Sequence, residues 1–222
     1  MSDRTQNTLI ALCGLVGAIV LTLSFAINPG PPAGSSVAQM AGFARAHHNL
    51  IVLGGWTQGF GSLLLVIFAL GVVHLAGASQ RLAGWLTLLS GSSILMVSLV
   101  EVACYLTVVQ ATETGDVTTG LVAAALIKGV QHLFLITLAL LLPLGWVLRG
   151  SRLLPRPLAY LALALGATLQ VFGLLGIFSA LQPVVDGLLA VQSVWFVAAS
   201  IALLLRPIAA GAHAKPAAAV VE

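Results

Sequence analysis

Glu101 and Lys128 are the two residues of this 222-residue chain whose type and setting point most directly to chemistry. Each interrupts an apolar run, Leu95-Met96-Val97-Ser98-Leu99-Val100 before the acid and Ala124-Ala125-Leu126-Ile127 before the base. A charge among apolar side chains costs about 2.5–3.5 kcal/mol on membrane-insertion scales, so such residues face a bundle interior and take a partner. An acid beside a base can clamp two helices, or it can hold and move a proton while the base tunes its pKa. Gln131 and His132 follow Lys128 at i+3 and i+4, on the same helical face. Ser98 lies one turn before Glu101, where it is expected to meet His132, and Cys104 and Tyr105 lie one turn after it.

The elements that position these residues must be membrane-spanning helices. Only 7% of the residues are Asp, Glu, Lys or Arg, against roughly 25% in a soluble domain. Hydrophobic residues make up 59%, and mean hydropathy is +1.10. A folded surface so poor in charge cannot be solvated by water, which excludes a soluble globular domain, a disordered chain and a fibrous repeat. A span needs about 20 apolar residues, and six stretches qualify: 8–27, 48–76, 82–109, 119–148, 158–181 and 184–205. The expected fold is all-α, one six-helix transmembrane domain over 1–205 with a flexible tail over 206–222. Arg4 ahead of the first apolar stretch resembles a signal peptide, but the run is long and no A-x-A site follows, so it is read as a span.

Charge bias orients the bundle. With the N-terminus inside, Arg4, Arg81, Arg149, Arg152, Arg156, Arg206 and Lys215 are inner, while Arg45 is outer beside Glu113, Asp116 and Asp186. Both termini are therefore expected in the cytoplasm of a bacterium, the chain lying in the inner membrane. Trp85, Trp146 and Tyr160 then fall at the inner interface as an aromatic belt. Ser36-Val37-Ala38-Gln39 reads as a capping box. It starts either an extension of the second span or a separate short interfacial helix carrying Met40 and Phe43.

Counting down each span from its outer end places Gln58, Glu101, Lys128, Gln170 and Gln192 about 8 to 11 residues deep. At 1.5 Å per residue, Glu101 and Lys128 are both roughly 12–14 Å from the outer surface, on antiparallel neighbours. A Glu101–Lys128 ion pair is the sharpest expectation. Trp56 and Trp195 fall at the same depth and, with Tyr105, would wall a cavity whose polar lining is Gln58, Gln131, Gln170, Gln192 and Ser98. The bland alternative is that these side chains only join helices, at under about 1 kcal/mol each.

Other motifs carry less. Gly54, Gly55, Gly59 and Gly61 mark close helix packing or room beside Trp56, and Pro143 is expected to kink the fourth span. The five histidines do not match in depth across the bundle, which argues against a bis-histidine haem. His47, His48 and Arg45 read as an interfacial cluster with no carboxylate beside it, a poor metal site. Six spans with a lysine in the fourth do not fit a retinal Schiff base. Cys13 and Cys104 are not in metal or disulfide spacing, and no phosphate loop, GxSxG or HExxH is present. No cofactor, metal or nucleic-acid partner is expected.

The stretch Lys128-x-x-Gln131-His132, Leu142-Pro143-Leu144-Gly145 and Ser151-Arg152-x-Leu154-Pro155-Arg156-x-Leu158-x-Tyr160 resembles uncharacterised bacterial integral-membrane proteins of the domain-of-unknown-function kind. The resemblance runs from the second to the fifth span. It implies a six-span inner-membrane protein and no particular chemistry. The functional expectation is a polar pocket in the outer half of the bundle for a small lipophilic molecule. Proton transfer, isomerisation or cyclisation would run through Glu101, His132 and Lys128. The alternatives are a proton-coupled transporter or channel, and a scaffold or accessory subunit with a homo-oligomeric or membrane-protein partner.

Overall fold

The computed structural model describes residues 3–28, 37–137, 140–176 and 182–206, without the side chains of residues 128 and 131–137 and a few others near segment ends. Among these residues the chain forms eight helices: α1 (Asp3–Ile27), α2 (Val37–Ala46), α3 (His48–Leu75), α4 (Leu82–Thr114), α5 (Val117–Thr137), α6 (Leu141–Arg149), α7 (Arg156–Gly176) and α8 (Gln182–Leu204). Five of them, α1, α3, α4, α7 and α8, are long and apolar enough to cross a membrane. The protein is thus a helical, multi-pass, membrane-embedded chain. The tail beyond Arg206 lies outside the described residues.

Over the fourth expected span, 119–148, the described residues form α5 and α6, and residues 138–139 between them lie outside the described residues. Pro143 has no N–H for the carbonyl four residues back, and its ring crowds that carbonyl. It is the third residue of α6, and the carbonyl four residues back, at residue 139, lies outside the described residues, as does the expected kink. The segment over 37–46 is a helix of its own and not an unbroken extension of the second span. His47 leaves helical geometry (φ −114°, ψ 18°), although hydrogen bonds from His47 N to Phe43 O and Ile51 N to His47 O bridge the junction.

The helices close into a ring: α1 packs on α3 and α8, α3 on α4, α4 on α5 and α6, α5 and α6 on α7, and α7 on α8. Antiparallel register fixes which ends coincide. Gly71 faces Ile10, Gly61 faces Leu21 and Gly54 faces Asn28 across α1 and α3. Between α3 and α4, Gly84 faces Val73 and Gly55 faces Val102. Arg4, Arg81, Arg149, Arg152, Arg156 and Arg206 gather at one end, the basic end. Arg45, Glu113 and Asp116 lie at the other.

Each long helix turns an apolar stripe outward; on α1 it is Leu9, Leu12, Val16, Ile19 and Leu23. In water such stripes would aggregate, and in lipid they cost nothing. Inside, the half of the bundle nearer the basic end is filled by Phe68, Trp195, Phe196, Leu141, Leu144 and Leu148, with Phe196 edge-on to both Phe68 and Trp195.

Candidate functional site

The site is built where α3 and α4 run antiparallel in the half of the bundle away from the basic end. Gln58 is on the buried face of α3, beside Gly55 and Gly59, whose lack of a side chain lets α4 approach at Val102 and Leu99. Gln58 Nε2 donates to Glu101 Oε2 at 2.5 Å, and the glutamate is only 6% exposed. One turn nearer the basic end, the hydroxyls of Ser62 and Ser98 meet at 2.9 Å, both buried. Gln58 and Ser62 are four residues apart, Glu101 and Ser98 three, so one antiparallel register satisfies both pairs. The Tyr105 hydroxyl, one turn beyond Glu101, interacts with the same carboxylate. A carboxylate donated to by an amide and flanked by a phenol can hold a proton or accept one, and can bind a donor group of a ligand.

Of the residues expected to line the site, the structure brings Gln58, Glu101, Tyr105 and Ser98 together. Ser98 meets Ser62; the side chain of His132, its expected partner, lies outside the described residues. Ser62 is the member that sequence reasoning missed, and its signal was its place one turn along from Gln58. The side chains of Lys128, Gln131 and His132 lie outside the described residues; the helix that carries them, α5, packs on α4.

Gln192 sits on the inward face of α8, one turn before Trp195 and Phe196, and its Oε1 is buried without a hydrogen-bond partner among the described residues. Its depth follows from Gly14, where a Cβ would run into both the Ser200 hydroxyl and the Phe68 ring, setting one level for α1, α3 and α8. From that level Gln192 is eight residues up α8 and Gln58 ten up α3, or roughly 12 and 15 Å. The two are at one depth to within about a turn. Gln170 is half-buried on α7, and among the described residues no hydrogen bond joins it or Gln192 to the Gln58–Glu101 pair.

The two tryptophans are elsewhere. Trp56 is 61% exposed and stacks on Phe60 on the outward face of α3, because positions 56 and 58 of a helix point some 200° apart. Trp195 is 1% exposed, and its indole N–H donates to Leu158 O at 2.9 Å, which makes it core packing that ties α8 to α7. Neither reaches the polar pair.

A second correction concerns His48. Glu113 stands beside it, with Nδ1–Oε1 at 3.1 Å, so the cluster does have a carboxylate neighbour and clips the start of α3 to the end of α4. Among the described residues no three His, Cys, Asp or Glu side chains converge as metal ligands. A crevice of about 580 Å³ lies at the basic end, far from Glu101. Comparison with known proteins finds no matching family model, curated protein or solved structure.

Proposed function

We propose that this protein binds the polar head of a small lipophilic molecule in the half of the bundle away from the basic end, at Glu101, Gln58 and Gln192. The buried Gln58–Glu101 hydrogen bond is the observation that carries the reading. Ionisable groups are kept inside a membrane bundle chiefly where they work or are paired. The carbonyl of Gln192, at about the same depth and without a donor among the described residues, supports it, since a buried acceptor without a donor is the mark of a place where a water or a ligand group belongs. If the molecule is transformed, Glu101 or His132 is the acid–base group and Lys128 tunes it, in a proton transfer such as an isomerisation or cyclisation.

The same reading takes the chain as six spans, with α5 and α6 together forming the fourth, both termini in the cytoplasm and the bundle in a bacterial inner membrane. The arginines gathered at one end support that orientation. A conducting path is disfavoured. Toward the basic end the interior is closed by Phe68, Trp195 and Phe196, and the buried hydroxyls of Thr87 and Ser200 are spent on their own helices, at Ala83 O and Phe196 O. The Ser62–Ser98 bond favours a second reading, in which the polar seam is only a latch between α3 and α4.

Native mass spectrometry of the protein in mild detergent separates the two. The binding reading expects a stoichiometric small molecule that is lost in a Glu101→Gln variant of unchanged melting temperature. A ligand-free protein whose Glu101→Gln variant unfolds establishes the latch instead.

A further inference from the structure

The turn from α3 to α4 and the end of α6 enclose the crevice at the basic end, and two arginines from different elements line it, Arg81 and Arg149. Local structure holds both. α3 ends in a Schellman motif: Gly77 takes φ +62°, its N–H donates to His74 O at 2.9 Å, and Ala78 N donates to Val73 O at 3.0 Å. Arg81 follows at once, its N–H on Ala78 O at 2.9 Å. Its guanidinium lies over the end of α6, with Nη1 3.9 Å from the place a Cβ on Gly150 would occupy. The Arg149 guanidinium is 5.7 Å from the centroid of the Trp146 ring, a cation–π contact that orients it.

Neither arginine pairs with a carboxylate among the described residues. Arg149 in the last turn of α6 also complements the helix C-terminus. That accounts for one arginine, but not for a second supplied by another helix pair. The crevice opens onto apolar surface: Leu82 is 75% exposed, and Trp85, Leu86 and Leu89 continue the outward face of α4 away from the arginines. Guanidinium groups match the oxygens of a phosphate, and basic pockets between helices at a membrane surface take anionic headgroups. The geometry points to a binding site for the phosphate headgroup of an anionic phospholipid, seated between Arg81 and Arg149 with its acyl chains along Leu82, Trp85 and Leu89.

The test is a lipid titration of the full-length protein in mild detergent, followed by native mass spectrometry, with phosphatidylglycerol, phosphatidylcholine and inorganic phosphate as probes. Phosphatidylglycerol is expected to bind and phosphatidylcholine to bind far more weakly. R81Q/R149Q should lose roughly thirtyfold in phosphatidylglycerol affinity, about fivefold or slightly more per arginine. R152Q/R206Q, at the same end of the bundle, should keep it. Equal binding of the two lipids, or an equal loss in R152Q/R206Q, would overturn the site. Displacement of bound lipid by millimolar inorganic phosphate would assign it to free phosphate and overturn the lipid. Should R81Q/R149Q fail to fold, R81K/R149K keeps the charge without the planar fork. It is expected to bind several-fold more weakly, and unchanged affinity in it would overturn the assignment.

Discussion

The two halves of the bundle hold their helices together by different physics. Toward the basic end the interior is large and apolar, with Phe68, Trp195, Phe196 and the leucines of α6 interlocked and backbones in close approach at Gly145 and Gly166. Toward the other end the α3–α4 interface has small residues and hydrogen bonds: Gln58 to Glu101, Ser62 to Ser98. Lipid tails are as apolar as leucine, so hydrophobicity alone does not press helices together in a membrane. Packing and interhelical hydrogen bonds do. The first half is built for shape. The second is built for polarity and, among the described residues, leaves the Gln192 Oε1 acceptor unused.

Adding volume at the tight helix approach should do the most damage. A Cβ on Gly61 would stand 2.7 Å from Leu21 N and 3.0 Å from its Cα, and backbone cannot swing aside. Gly61→Ala is expected to cost about 3 kcal/mol, the upper part of the usual overpacking range, read as a lowered midpoint of unfolding in denaturing detergent. Gly55→Ala, whose nearest neighbour is the Val102 methyl at 3.5 Å, should be near neutral, and equal effects at the two positions would deny that α1–α3 is the tighter contact.

Next is the polar pair. Glu101→Ala strands the buried Gln58 amide and should cost roughly 1–3 kcal/mol by the same assay. Glu101→Gln keeps an acceptor and should cost visibly less. If the two variants are equally destabilised, the Gln58 contact is not what the glutamate supplies. A smaller effect belongs to the hydroxyls. A double-mutant cycle over Ser62→Ala and Ser98→Ala should return a coupling of about 0.6 kcal/mol, typical of hydrogen bonds between membrane helices. A coupling of zero would leave the seam to Gln58 and Glu101 alone.

The smallest effect is at the start of α5, outside the bundle interior. Asp116 accepts from the Thr119 hydroxyl at 2.6 Å and from the Thr119 amide at 3.1 Å, and these bonds hold its carboxyl below the ordinary carboxylate range. The cap therefore stabilises α5 fully above about pH 4 and is lost as pH falls through the lowered native value. Asp116→Ala should lower the melting temperature slightly at pH 7 and not at all at pH 2. A decrement that persists at pH 2 would show that the charge is not the cause.

Membrane class, the five long spans and the end at which the arginines gather were all legible in the sequence, because a bilayer demands uninterrupted apolar runs and leaves charges only at their ends. Glu101 was legible for the same reason: a carboxylate within such a run faces the bundle interior and takes a partner. Depth could also be counted, since a helix rises by a constant amount per residue, and the count put Gln58 near Glu101. Facing could not be counted across helices. Trp56 shares the depth of Gln58 and points outward, and Trp195 is core, because rotation about each helix axis is set by which neighbours it packs on. The Ser62–Ser98 bond, the His48–Glu113 clip and the Arg81–Arg149 crevice each join residues dozens of positions apart. Only the tertiary structure decides such pairs, since they depend on register between helices, and register is fixed by glycine-to-backbone approaches that a single strand of sequence does not display.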